Sequence, residues 1–379
     1  LILIYIYMKH FNILFALLCL FMVICTGCDK KSDTIVVPSE NPTRFVGADL
    51  SQWLVYQENH AIYTEKGLPI ENIPQYFYDK GFNIARIRLF VDPDMQSEAC
   101  QDMAYVIKTA RVCVDAGMLV CLDFHYSDTW ADPGKQYTPK AWTSLTPSEM
   151  AKQVYRYTRE SLSTLKGHGI VPSQIQIGNE ITAGMLWESG RVSVWDEPSN
   201  TPAQWNNLLS YLKNASQACR EICPDAQIII HTDRGGDSET ALRFYQKVSD
   251  IDYDVIGLSY YPFWHGSLSR LATTLQSLQD AFPNKEIMIV ETAYPHQKSD
   301  YTENGNTTCD YPFTPEGQAT FLRELVQLLK RYEQVTGVYY WYPEETLVEP
   351  FYARIDLHRG LFDEYTGEVL PAIEEMRKF

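Results

Sequence analysis

Glu180 closes the run Gln174-Ile-Gln-Ile-Gly-Asn-Glu180, and Glu291 closes Ile287-Met-Ile-Val-Glu291. Each carboxylate ends an apolar, β-branched run with the composition of a buried strand. Two such ends brought over one cleft supply the minimal apparatus for cleaving a glycosidic bond: one acid that protonates the leaving oxygen, one carboxylate that attacks or activates water. Asn179, just before Glu180, suits a hydrogen bond to a sugar 2-hydroxyl. Further polar residues stand within or just past other apolar runs: Asp49, Arg86, Arg88, Asp123, His125, Tyr260, Tyr261 and Trp341. A polar group inside an apolar strand is costly unless paired. One such residue is usually structural, but eleven at matching ends of many strands describe a site. Arg86 and Arg88 share one face by strand alternation. A guanidinium near Glu291 would hold that carboxylate ionised as a nucleophile, and Tyr260 or Tyr261 would donate a hydrogen bond to it. Glu180 is then the acid/base. A retaining reaction requires the two carboxyl groups to lie roughly 5–5.5 Å apart.

The elements that must position these residues follow from the pattern. Apolar runs at 45–51, 84–90, 119–125, 175–180, 227–232, 255–261, 286–292 and 338–341 alternate with helix-like stretches, among them 101–116, 147–165, 202–222, 268–281 and 315–332. Eight strand candidates alternating with helices predict a single (β/α)8 barrel, with Glu180 on the fourth strand and Glu291 on the seventh. Long segments after the strands (127–142, 185–201 and 295–314) would form an open cleft at the C-terminal face. Trp53, Trp130, Trp142, Trp187, Trp264 and Trp341 are candidate stacking platforms for sugar rings.

The chain has 379 residues, with 32 Lys+Arg against 48 Asp+Glu. It shows no basic patch, which excludes nucleic acid as a partner. Met8 is read as the start. Residues 9–10 are a short basic region and 11–24 an apolar run too short to span a bilayer, so 1–27 reads as a signal peptide. Cys25-Thr-Gly-Cys28 resembles a lipoprotein signal with lipid on the Cys28 thiol. Residues 28–44 read as a polar tether and 45–379 as the catalytic domain. This predicts an exported protein, at the cell surface or outer membrane, or otherwise periplasmic or secreted. The only membrane contact expected is the lipid anchor. Six cysteines remain beyond the signal: Cys100, Cys113, Cys121, Cys219, Cys223 and Cys309. Export would allow some of them to pair, whereas Cys121 reads as a core thiol. Cys219 and Cys223 lack a second pair at zinc spacing. The Asp-x-His of Asp123 and His125 offers too few ligands for a metal, so sugar contact is the expectation there.

The stretch Asp123-Phe-His-Tyr-Ser-Asp-Thr-Trp-Ala-Asp-Pro-Gly-Lys-Gln136 resembles the third-strand signature of glycoside hydrolase family 53. So do Gln176-Ile-Gly-Asn-Glu-Ile-Thr-Ala-Gly-Met-Leu-Trp187, Ser259-Tyr-Tyr-Pro-Phe-Trp-His-Gly266 and Val290-Glu-Thr-Ala-Tyr294. The resemblance runs from about Phe45 to Ile373. It implies an endo-acting, retaining β-1,4-galactanase with Glu180 as acid/base and Glu291 as nucleophile, acting on pectic galactan or type I arabinogalactan. It also brings Trp264 and His265 into the supporting set. No cofactor is required, and a monomer is expected. Some members bind calcium in the loop after the seventh strand; here 295–314 lacks the family's ligand cluster, which argues against a structural calcium. Phe90 stands where the family often has Trp. The alternatives are a related barrel hydrolase on another β-1,4-glycan, and a non-catalytic surface glycan-binding lipoprotein.

Overall fold

A computed structural model describes residues 43–95, 98–195, 201–299, 310–348 and 358–379. The signal region, residues 28–42 of the tether with Cys28, Cys309 and much of the loop expected to lack calcium ligands therefore lie outside the described residues. Eight parallel strands close into a barrel: β1 (Phe45–Asp49), β2 (Ile84–Leu89), β3 (Leu119–Phe124), β4 (Gln174–Ile177), β5 (Gln227–Thr232), β6 (Val255–Ser259), β7 (Glu286–Thr292) and β8 (Val335–Trp341). The order is sequential, and β8 pairs back onto β1 through Phe45 opposite Gly337 and Asp49 opposite Trp341. The expected (β/α)8 architecture is observed.

The helices between strands start and stop on local chemistry. The helix Pro147–Gly167 begins with a capping box, Thr146 and Glu149 each serving the other's backbone, and with Pro147 where no amide donor is needed. Its buried residues Met150, Ala151, Val154, Thr158, Ser161, Leu162 and Leu165 recur at helical spacing. The helix Pro202–Ile222 repeats the device with Thr201 and Gln204. The helix Met103–Asp115 hands over to β3 through Gly117 at φ 94°, a left-handed conformation that glycine adopts without strain. The helix Ser238–Lys247, capped by Asp237, was not among the expected elements.

The barrel interior has two chemical layers. Phe45, Ile84, Cys121, Ile229, Val255, Met288, Val290 and Tyr339 form a separate apolar cluster at the N-terminal end. Alternation then turns the next inward residues polar toward the C-terminal mouth: Asp49, Arg86, Asp123, Gln176, His231 and Ser259, all buried. β7 departs from alternation. Leu258 of β6 pairs with Ile289, but its neighbour Ser259 pairs with Glu291, so β7 carries one extra residue. Met288 and Val290 both join the interior cluster, and the bulge then brings Glu291 to the mouth as well. All five cysteines among the described residues, Cys100, Cys113, Cys121, Cys219 and Cys223, are buried free thiols.

Candidate active site

Glu291 lies in a deep, polar seat. Its Oε1 is 2.8 Å from Arg86 Nη2, and its Oε2 accepts a hydrogen bond from the Tyr261 hydroxyl at 2.9 Å. Of the two tyrosines, Tyr261 alone makes this bond. Tyr260 points away and donates to the Gly266 carbonyl at 2.7 Å, because adjacent residues face opposite ways along the chain. Arg86 is completely buried and spreads its guanidinium over Asp49 (2.6 Å), Asp123 (2.9 Å) and Asn179 Oδ1 (2.9 Å) as well. Arg88 pairs with Asp49 at 3.3 Å, donates to Gln52 Oε1 at 3.4 Å, and lies against the ring of Trp130 at 4.3 Å.

Glu180 follows β4 in a left-handed turn at φ 49°, unusual for a residue with a side chain. The turn is held from both sides. The Glu180 amide donates to His231 Nδ1 at 3.3 Å, and Gln136 Nε2 donates to the carbonyl of Asn179 at 2.7 Å. Ser259 Oγ stands between the two carboxylates, donating to Glu180 Oε1 at 2.6 Å and lying 3.5 Å from Glu291 Oε2. Laid end to end, those two legs place Glu180 Oε1 and Glu291 Oε2 at most 6.1 Å apart. This is short of the roughly 6.5–9.5 Å that an inverting pair keeps open for water.

Burial pushes the pKa of both carboxyls upward. Arg86 pulls Glu291 back, whereas Glu180 has no ion-pair partner among the described residues and also feels the charges of Glu291 and Asp233. Glu180 is thus the member raised well above the usual carboxylate range.

The structure relocates several expected sugar contacts. Asp123 is fully buried; burial raises its pKa, but Arg86 and His125 outweigh that and bring it down to about 2. His125 accepts the Ala131 amide on Nδ1 at 3.1 Å, so its proton is on Nε2, 3.1 Å from Asp123. Burial keeps this imidazole neutral. Asp49 and Asp123 are thus buried as the ion-pair partners of Arg86 and Arg88, with the neutral His125 beside Asp123. Phe90 packs on His125 at 4.7 Å and is itself buried. Trp53 and Trp142 are core residues. Trp130 and Trp341 are half-buried and adjoin at 6.2 Å on the floor, while Trp264 is 48% exposed beside Tyr261. Trp187, half-buried, donates to the Ala183 carbonyl. His265 accepts the Tyr261 amide at 2.9 Å and so shapes the turn carrying that tyrosine; burial lowers it to about 4. Gln136, Gln176, His231 and Ser259 were missed as site residues. Their signal was a polar side chain at an inward position of an otherwise apolar strand for three of them, and for Gln136 its place in the loop after β3.

The family model for glycosyl hydrolase family 53 matches residues 45–376. The chain belongs to glycosyl hydrolase family 53. Within the family it is 35% identical to an arabinogalactan endo-β-1,4-galactanase of Cellvibrio japonicus over 320 residues, covering 80% of this chain and 81% of that one. Among family 53 structures, a fungal β-1,4-galactanase superposes with a TM-score of 0.76 at 28% identity, over 88% of this chain and 98% of that one. The family 53 catalytic domain of Ignisphaera aggregans gives 0.76 at 29% identity, covering 90% and 98%.

Proposed function

We propose that this family 53 member is an endo-acting β-1,4-galactanase that cleaves pectic galactan or type I arabinogalactan with retention of configuration. Glu291 attacks the anomeric carbon while Glu180 protonates the leaving oxygen. Glu180 then takes a proton from water as that water hydrolyses the galactosyl-enzyme ester, returning Glu291. The carrying observation is the asymmetry of the close pair: Glu291 holds Arg86 and Tyr261, and Glu180 holds neither. Charge on the first and a proton on the second is the state a retaining reaction starts from. Asn179 is the candidate partner of the sugar 2-hydroxyl. Its amide nitrogen gives one hydrogen to the Ala131 carbonyl at 2.8 Å and keeps a second to offer. Trp130, Trp264 and Trp341 are the sugar-stacking candidates, and the two carboxylates carry the chemistry without a cofactor. Residues 1–44 support export with a lipid on Cys28 and action at the cell surface.

Linear β-1,4-galactan is the test substrate. Glu180→Ala and Glu291→Ala should each lower kcat/KM by at least about 10³-fold. Proton NMR of the first product should show the β anomer. Near-parental cleavage by either variant, or an α product, overturns the assignment. Galactan retained on the unmutated protein without release of oligosaccharides would make it a binding protein instead.

A further inference from the structure

Behind Glu180 the structure contains a directed chain of hydrogen bonds that neither the carboxylate pair nor the family assignment requires. His231, on β5, is buried with no exposure, and its two ring nitrogens face different groups. Nδ1 lies 3.3 Å from the Glu180 backbone nitrogen, which can only donate, and 3.1 Å from Gln176 Nε2, also a donor. The one acceptor near it, Asn179 Oδ1 at 3.0 Å, already receives Arg86 Nη2 at 2.9 Å, whereas the Glu180 N–H is aimed at Nδ1 and would meet any proton carried there. Nδ1 is therefore the acceptor, and the imidazole proton is on Nε2. There it meets Ser259 Oγ at 2.8 Å. A serine hydroxyl that accepts from an imidazole has its own single proton left to give. Glu180 Oε1 at 2.6 Å is much nearer than Glu291 Oε2 at 3.5 Å, and Glu291 Oε2 is already served by Tyr261.

We infer that His231 and Ser259 are positioning residues for leaving-group protonation: the relay from His231 Nε2 through Ser259 to Glu180 Oε1 confines the acid proton of Glu180 to Oε2. An oxygen that accepts a short hydrogen bond is the poorer place for a proton, so the acid form carries its hydrogen on the other oxygen. The same imidazole fixes the Glu180 backbone through Nδ1, so carboxyl and main chain are oriented by one ring. The bond to Oε1 also stabilises the ionised carboxylate, moderating the upward push from burial, from Glu291 on β7, from Asp233 after β5 and from Asp132 in the loop after β3. His231 itself is held neutral by burial and by Arg86. This inference rests on Glu180 being the acid/base.

The test compares two substrates on the full chain: galactan, whose leaving sugar needs a proton, and 2,4-dinitrophenyl β-galactobioside, whose leaving group does not. Ser259→Ala should lower kcat/KM on galactan by about 10-fold to 100-fold, the loss of one hydrogen bond to a charged group. On the dinitrophenyl substrate it should change kcat/KM by less than about threefold, because glycosylation there does not use the acid. The alkaline limb of the galactan profile should move up by about one pH unit, since losing the donor raises Glu180. His231→Gln should move both readouts in the same directions, and Ser259→Thr, which keeps the hydroxyl, should restore both. Equal losses on the two substrates, or an unmoved alkaline limb, overturn the relay, because a merely structural serine would give those results. Glu180→Ala separates the two readings. A loss confined to galactan keeps Glu180 as the acid, so a failed Ser259→Ala result then rejects the relay alone. Equal loss on both substrates removes the acid assignment and the relay with it.

Discussion

Arg86 is one buried cation set among three carboxylates, those of Asp49, Asp123 and Glu291. Its desolvation is offset because every face of the fork finds charge or a carbonyl-type oxygen, the condition under which a buried guanidinium is tolerated. Removing it strands those acids. Arg86→Ala should therefore destabilise by about 3–5 kcal/mol in urea titration, the typical cost of breaking a buried ion pair from one side. Arg86→Lys keeps a charge but cannot fork. With the contact to Oε1 weakened, Glu291 becomes harder to ionise, and the acid limb of kcat/KM against pH should move upward. A limb that stays in place would mean that Tyr261 alone keeps Glu291 ionised. Asp123 shows where residue-level reading stops. Its position at a strand end was legible in the sequence, but whether it faced sugar or Arg86 depended on how deep in the mouth the strand placed it.

At the scale of elements, all eight strands were legible, since runs buried on both faces are mostly apolar and helix-like stretches alternate with them. The helix Ser238–Lys247 was not, because Arg234-Gly-Gly-Asp237 before it reads as an extended loop and the helix itself is short. The bulge in β7 was also illegible. Strict alternation from Met288 would have turned Glu291 outward, and only pairing with β6 reveals the extra residue. The apolar end of the barrel is fitted just as closely. A methyl on Gly47 of β1 would stand 1.9 Å from Tyr339 Cδ1 of β8, while the Tyr339 hydroxyl is tied across the barrel to Gln174. The ring cannot retreat without losing that bond. Gly47→Ala should cost about 1–3 kcal/mol by overpacking, read as a lower urea midpoint at unchanged slope. Thr146→Ala, which opens only the capping box of the helix Pro147–Gly167, should cost about 1 kcal/mol and leave kcat/KM unchanged. Together they separate strain inside the barrel from fraying outside it.

For the whole molecule, buried acids set the pH range of stability from opposite sides. Asp123 and Glu364 are both brought down to about 2. Their contribution is present above the usual carboxylate range and is lost as pH falls toward 2. Glu344 is the reverse. It is fully buried, neither carboxyl oxygen has a hydrogen-bond partner among the described residues, and burial raises it well above the usual range. It favours the fold fully below the unfolded-state value, and that contribution is lost as pH rises toward the folded one. The penalty grows by about 1.4 kcal/mol per pH unit. Glu344→Gln should thus add little to the melting temperature near pH 4 and progressively more toward pH 7; a constant difference would mean that Glu344 ionises freely. Charge on the outside makes a separate statement. The formal net charge is −16, and residues 1–42 contribute nothing to it, because Lys9, Lys30 and Lys31 balance Asp29, Asp33 and Glu40. A β-1,4-galactan is neutral, so this field neither steers nor repels it, and kcat/KM on isolated galactan should vary less than about twofold between 10 and 200 mM salt. Galactan still attached to its galacturonate-bearing backbone is anionic and is repelled until salt screens the field. Its kcat/KM should rise severalfold over the same range, and equal salt responses on the two substrates would show that the acidic surface faces away from the approaching polymer.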